Sequence, residues 1–499
     1  MQDYFDKIPQ EVKLLIETMQ ASGFRAYIVG GCVRDLLSGN TPSDWDAATN
    51  ATPEQIQQVF PDSYTDNKFG TVKVRIPKLG PENFLEIEIT PYRTESKYTD
   101  KRHPDKVEWA DNIGDDLSRR DFTVNAIALS YTKEEKDKKV RTEIIDLFGG
   151  RDDIEAKLIR AVRDPNERFL EDALRMMRAV RFSITLGDGW RIESDTEQAI
   201  KANSKWLKEV SQERIRDEFE KIILSDRAAA GVEKLRELGL LDYIMPEIKA
   251  AYGVGQNKHH IYDCYNHLLK SLEFAARKNF NFYVRMAALL HDIGKPAAKA
   301  GDGPDSTFYN HEVVGAKIAR KILQRMKFSK KDTDKIVLLV RYHLFYYNVG
   351  EVGEASVRRL VRNVGQENLE ELLQVRMSDR IGSGCPKAEP YKLRHLRYLM
   401  EKALLDPISA KMIKVNGKDI MDILNTQPGP KIGQILDILL AQILNDPKLN
   451  ERAYLELEIK RLGSLDEAEL LQTSQDAEKQ RDNVEVKRDQ MTKKKYWVV

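Results

Sequence analysis

Short runs of alternating character fill the first third of the chain. Ala26-Tyr27-Ile28-Val29 is a brief apolar stretch, Gly30-Gly31 a turn, and Cys32 to Leu37 the start of a helix. Thr71–Ile76 and Phe84–Ile89 alternate apolar and polar residues, the period of half-buried strands. From about Arg168 the period becomes helical and stays so, marked by Phe169, Leu170, Leu174, Met177, Val180 and Phe182. Gly253-Val254-Gly255-Gln256-Asn257 and Gly382-Ser383-Gly384-Cys385-Pro386 interrupt it, and no internal repeat is visible. The pattern predicts an α/β head over 1–150 and a helical neck over 151–252. A third domain over 253–400 and a helical tail region over 401–471 follow. Residues 472–499 are charge-dense and poor in large apolar side chains, which predicts a solvated extension or disordered tail.

At 499 residues the chain exceeds what one core can organise, in keeping with several domains. Lysine plus arginine number 80 and aspartate plus glutamate 79, a net charge of +1. That balance gives no positive evidence for a nucleic-acid partner, yet it does not exclude a basic stripe on an otherwise acidic surface. The three cysteines, Cys32, Cys264 and Cys385, form neither a disulfide framework nor a CxxC knuckle, which suits a reducing cytoplasm. No apolar run reaches membrane-spanning length, and the acidic start Met1–Asp6 lacks the layout of a secretory signal. A cytoplasmic protein without membrane association is expected.

Three features of the head point to phosphate chemistry. Gly30-Gly31-Cys32-Val33-Arg34-Asp35 lies between strand and helix, where glycines admit a phosphate to the backbone and the helix N-terminus favours an anion. Alone, such a turn is more often only a turn. In Asp44-Trp45-Asp46, two carboxylates on a strand would face one side and repel unless a cation such as Mg²⁺ neutralised them. An aspartate-rich surface turn is the plainer alternative. In Arg119-Arg120-Asp121-Phe122-Thr123-Val124-Asn125, an arginine can clamp triphosphate oxygens, while Asp121 and Asn125 can orient a ribose or the arginines. A capped helix start with a solvated basic face would look the same.

Taken in order, these motifs resemble the class II tRNA nucleotidyltransferase and bacterial poly(A) polymerase family. The likeness continues through Asp146-Leu147-Phe148-Gly149-Gly150, Glu171-Asp172-Ala173-Leu174-Arg175 and Gln212-Glu213-Arg214-Ile215. It implies a polymerase-β-like head in which Asp44 and Asp46 hold two Mg²⁺ ions. A nucleoside monophosphate would pass from CTP or ATP to a tRNA 3′ end, making CCA addition the expected activity. Gly30, Gly31, Arg34, Asp35, Arg120, Asp121, Asn125, Arg178 and Arg181 are implied nucleotide-binding residues. Asp172 and Arg175, three apart on one predicted helix, would otherwise be an ordinary ion pair. By the resemblance they read the base instead: cytosine and adenine offer an amine and an adjacent ring-nitrogen acceptor. Guanine and uracil present a carbonyl to the carboxylate and are rejected. Tyr92–Arg102 matches the family's flexible loop, with His103 where an arginine is more usual before Pro104.

His267, the pair His291-Asp292 and Asp379 follow in the order of an HD-type metal phosphohydrolase, with His311 and His343 placed to serve a second metal. Imidazole and carboxylate together suit a divalent transition metal that polarises water for phosphoester hydrolysis. A metal retained only as a structural element is the alternative. Val415–Met421, Pro428–Gly433 and Asn450-Glu451-Arg452 resemble the tail region of HD-bearing bacterial CCA-adding enzymes. The rival readings are a poly(A) polymerase or A-adding-only enzyme, and a phosphohydrolase with a vestigial head. A non-catalytic RNA-binding scaffold is disfavoured by two complete ligand sets.

Overall fold

The alternating segments of the head become one mixed sheet. Its strands are β1 (Ala26–Val29), β2 (Asp46–Thr49), β3 (Ser63–Thr65), β4 (Val72–Pro77) and β5 (Phe84–Pro91). A separate hairpin, β6 (Arg93–Ser96) with β7 (Lys106–Trp109), precedes β8 (Ile127–Lys133) and β9 (Val140–Asp146). The seven-stranded order is β3-β4-β5-β2-β1-β8-β9, antiparallel throughout except for the parallel pair β2–β5. This computed structural model describes residues 4–498 except 66–69, 78–83, 97–105, 134–139, 258–260, 302 and 405–412. Of the flexible-loop segment, everything from Lys97 through Arg102, together with His103, therefore lies outside the described residues.

One face of the sheet packs Ile28, Ala47, Val72, Val74, Ile87 and Ile89 against Val12, Leu15, Ile16 and Met19 of helix Gln10–Ala21. Burying each of the larger side chains among them contributes roughly 1.5–3 kcal/mol, and Ala47 less. Period-two alternation made the strands legible, because residues on the other face of β4 and β5 stay partly open to solvent.

The chain divides into two compact units, 1–343 with 374–386, and 344–373 with 387–499. Of the domain expected over 253–400, residues 253–343 and 374–386 lie in the first unit and 344–373 and 387–400 in the second. Residues 253–343 pack with the head and neck, and the expected third domain is shared between both units. Arg285 shows how neck and histidine block are joined. It is 1% exposed on helix Phe282–Leu290 and donates to the Ile223 and Ser225 carbonyls, which end helix Gln212–Leu224. Further bonds run to the Phe280 carbonyl and Asn279 Oδ1, so an otherwise costly buried charge is multiply hydrogen-bonded.

In the second unit, helix Pro430–Asn445 packs Ile435, Ile438 and Leu439 with Leu455, Ile459, Leu470 and Ala477. Of residues 472–499, expected to be a solvated extension or disordered tail, 472–495 lie on a 29-residue helix, Glu467–Lys495, that Asp466 caps at the Glu469 N–H, with most of its positions exposed. Three of its buried positions, Leu470, Ser474 and Ala477, fall on one face at spacings of four and three, and Thr492 is buried near its end. Two of those three residues are small, so the buried stripe reads as polar in the sequence.

Candidate functional site

Strand register builds the centre of the head. Val29 pairs with Asp46 antiparallel, so the end of β1 and the start of β2 meet at one edge, and Gly30 follows there. Gly30 has φ 84°, and a Cβ at this position would approach Arg120 Nη1 to 3.0 Å and Asp46 Oδ2 to 3.5 Å. Glycine thus admits the arginine beside the carboxylate while adopting a left-handed turn. Asp46 also pairs with Glu88 across the parallel β2–β5 register, which sets both carboxylates on one face. Glu88 was not singled out from the sequence. Its only signal was its place on the polar side of the alternating run Phe84–Ile89.

Asp44 sits differently from the strand placement expected of it. β2 begins at Asp46, and Asp44 occupies an exposed bend two residues earlier, accepting a hydrogen bond from Ser43 Oγ at 3.0 Å. The two carboxylates still feel each other. Burial pushes the Asp46 carboxyl up to about 6, and Glu88 and Asp44 add to that rise against the pull of Arg120. Concentrated negative charge with a half-buried acid suits a hard divalent cation.

Behind these acids, buried hydrogen bonds hold the arginines. Arg34 is 8% exposed and donates through Nε and Nη2 to Asp35 Oδ1 and through Nη1 to Asn125 Oδ1. Arg120 donates to Asp116 Oδ2, and Arg119 to Asp116 Oδ1. Burial disfavours the Asp116 charge, but Arg120 and Arg119 outweigh it and keep the carboxyl below its ordinary range. Asp116 was likewise not singled out, although it stands three and four residues before Arg119 and Arg120, the spacing at which side chains meet along a helix. Asp121 accepts from Arg178 at 2.6 and 2.8 Å and from Asn125 Nδ2 at 3.2 Å. Burial again opposes its charge, yet Arg178 and Arg175 draw it down to about 2. Asp121 and Asn125 thus orient arginines, one of the two roles open to them from sequence.

Asp172 and Arg175 do not share a continuous helix. Helix Pro165–Glu171 stops at Asp172, whose φ of −146° is extended, and a new helix, Arg175–Thr185, follows. Asp172 Oδ1 accepts the Leu174 N–H at 3.1 Å, an Asx turn that competes with the helical ladder. Nor do the two side chains pair with each other. Arg214 grips Asp172 by two bonds of 3.1 and 2.7 Å, while Arg175 donates to Glu171 Oε2 and to the Arg168 and Arg119 carbonyls. Arg181 turns to Glu218 at 2.6 Å and lies over the Phe182 ring, outside the residues that line the cleft. Gly30, Gly31, Arg34, Asp46, Glu88, Arg120, Asp121, Asn125, Asp172, Arg175, Arg178 and Arg214 are among those that do, around a volume of about 540 Å³.

The second cluster is buried in the same unit. His291, His311 and His343 each set Nδ1 2.7–2.9 Å from a backbone carbonyl, of Ala288, Phe308 and Val340 respectively. A neutral ring in that geometry carries its proton on Nδ1, leaving the Nε2 lone pair for a metal. Those Nε2 atoms converge on Asp292: His291 at 3.3 Å from Oδ2, His311 and His343 at 3.2 and 3.5 Å from Oδ1. His267 Nε2 lies 2.8 Å from His291 Nε2 and 3.4 Å from Asp379 Oδ1. Ligand atoms of His267, His291, Asp292 and Asp379 all fall within 4.8 Å of one another, as do those of Asp292, His311 and His343. Two imidazole nitrogens that close need a proton or a cation between them. Burial disfavours a charged ring, yet Asp292 and Asp379 push His291 up to about 10, a field equally suited to a divalent cation. Lys295 donates to the same Asp292 Oδ2 at 2.6 Å.

Comparison with known proteins matches this arrangement. Family models match over residues 26–160 (poly A polymerase head domain), 189–252 (probable RNA and SrmB-binding site of polymerase A) and 264–382 (HD domain). A CCA-adding enzyme of Lactococcus lactis subsp. lactis (strain IL1403) is 32% identical over 466 residues, covering 92% of this chain and 99% of the relative. The chain belongs to the tRNA nucleotidyltransferase family. An A-adding tRNA nucleotidyltransferase of Deinococcus radiodurans is also 32% identical, over 429 residues, 83% of this chain and 90% of that one. The crystal structure of the Bacillus stearothermophilus CCA-adding enzyme in complex with CTP superposes with a TM-score of 0.53 at 28% identity. It covers 92% of this chain and 98% of that one. The family's divalent-metal chemistry is consistent with both clusters described above, and no helix among the described residues is long and apolar enough to cross a membrane.

Proposed function

We propose that this nucleotidyltransferase adds CCA to tRNA 3′ ends from CTP and ATP in the cytoplasm. The observation that carries the reading is the convergence of Asp46, Arg120 and the pair Asp172 and Arg175 on one cleft. Asp44 and Asp46 would hold Mg²⁺, with Glu88 on the same face as Asp46. Bound there, divalent ions would supply neutralisation of the charge that develops during transfer. The tRNA 3′-hydroxyl attacks the α-phosphate, forming a new P–O bond as the bond to pyrophosphate breaks. Arg34 and Arg120, held by Asp35, Asn125 and Asp116, face the triphosphate beside Gly31. Their geometry is fixed before substrate arrives, so little reorganisation accompanies the reaction. Arg178 contributes to the nucleotide wall, while Arg181 acts through Glu218 and Phe182.

An A-adding-only activity is the second reading, favoured by the 32% identity to the Deinococcus radiodurans A-adding enzyme. Incubating tRNAs that lack CCA, CA or the terminal A with CTP, ATP or both, and sizing the products, separates the two. Addition of ATP alone, only to tRNA already ending in CC, would replace the CCA assignment. In the histidine cluster, His267, His291, Asp292 and Asp379 would hold a divalent transition metal, and His311 and His343 with Asp292 would serve a second one. A phosphoester hydrolysis there, with the 2′,3′-cyclic phosphate of damaged RNA as substrate, would restore an end the head can extend.

A further inference from the structure

Arg214 takes up much of the hydrogen-bonding capacity of Asp172. Asp172 is a carboxylate with about four lone-pair positions. Oδ1 accepts from the Leu174 N–H at 3.1 Å and from Arg214 Nη1 at 3.1 Å, and Oδ2 accepts from Arg214 Nη2 at 2.7 Å. Among the described residues, a single acceptor position remains, on Oδ2. Arg175 is occupied in a complementary way, with Nη1 on Glu171 and Arg168 and one Nη2 hydrogen on Arg119. That leaves Nε–H and one Nη2–H as donors. One acceptor beside one or two donors matches an exocyclic amine next to a ring nitrogen, the edge shared by cytosine and adenine.

Neither a lone carboxylate nor a point charge would impose this. A carboxylate free to turn about its χ angles offers four acceptor positions and several orientations. A forked guanidinium fixes its plane as well as its charge. Arg214 stands near the start of helix Gln212–Leu224, whose far end Arg285 caps at Ile223 and Ser225, so the fork is mounted on an anchored strut. We infer that Arg214 is the positioning residue that sets base discrimination, by leaving Asp172 one acceptor aimed at the incoming nucleotide. This inference rests on the nucleotidyltransferase reading and on Asp172 and Arg175 as its base-reading pair.

The test uses the full-length chain and single-turnover rates, with CTP and UTP on tRNA lacking CCA and with ATP and GTP on tRNA already ending in CC. Wild type should incorporate CTP and ATP and reject UTP and GTP. If wild type adds no nucleotide, the function reading fails. If wild type discriminates, the variants test Arg214 alone. Arg214→Gln should lower the preference for CTP over UTP at least tenfold. The double variant Arg214→Gln with Asp172→Ala should discriminate no worse than Asp172→Ala alone, because both changes remove one device. Arg214→Lys, which keeps the charge without the fork, should restore the rate more than the selectivity. It also serves as the folded control if the glutamine variant is unstable. A uniform slowing of all four nucleotides with unchanged ratios, or losses that add in the double variant, would overturn the inference.

Discussion

Replacing Asp121 with asparagine tests the electrostatics of the cleft quantitatively. The Asp121 carboxylate is buried under Arg178, with bonds of 2.6 and 2.8 Å, and its pKa falls from an ordinary 3.8 to about 2. A depressed carboxylate stabilises the fold above its unfolded pKa, and that contribution fades as pH drops through the folded one. The shift corresponds to about 2 kcal/mol at neutral pH, and the linkage relation reduces it to about 1 kcal/mol by pH 3. Asparagine keeps the shape but removes the charge, so Asp121→Asn should cost about 2 kcal/mol at pH 7 and less at pH 3. Urea titrations of both proteins at each pH, followed by tryptophan emission and compared as differences, measure this. A penalty unchanged between pH 7 and pH 3, or absent at pH 7, would show that the pairing with Arg178 is not what lowers the Asp121 pKa.

Asp46→Ala should abolish nucleotide addition at saturating Mg²⁺ while leaving the far-ultraviolet circular dichroism intact, and near-normal turnover would remove Asp46 from the metal site. Exchanging His291 and Asp292 for alanine together should lower the transition-metal content of purified protein and spare nucleotide addition; equal metal in both proteins would reduce the cluster to scaffold. At Gly294 an added Cβ would lie 2.2 Å from the His311 carbonyl oxygen and 2.5 Å from the Gly315 nitrogen. Gly294→Ala should therefore displace helix His311–Arg325, cost on the order of 1–3 kcal/mol and weaken metal binding, which metal analysis and thermal melts would detect.

Much of the molecule was legible where chemistry and periodicity coincide. Gly30-Gly31, Asp46, Arg120 and Asp121 announced themselves because glycine turns, paired acids and paired arginines are unusual next to one another. The break at Asp172 was not legible, since Leu170 to Ile184 is rich in helix formers and only one side chain, capping the Leu174 N–H, ends the ladder. Glu88 and the role of Arg214 were missed for a common reason: each gains meaning from a partner far away in sequence that tertiary structure brings beside it. For Glu88 that partner, Asp46, comes through strand register, and for Arg214 through a bidentate grip on Asp172, whereas Asp116 meets its arginines at local helical spacing. The terminal helix was hidden because its buried stripe uses serine and alanine where a larger apolar residue would have shown the period.

The buried cap that Arg285 places on the neck has a consequence for how the chain can be divided. A fragment ending near residue 252 would keep every residue of the nucleotide cleft, yet the Ile223 and Ser225 carbonyls would lose their donor. The apolar side chains of helix Phe282–Leu290 would be removed from the neck at the same time. The nucleotidyltransferase half is therefore not a portable cassette, and grafting it onto another partner requires carrying the arginine-bearing helix across the junction.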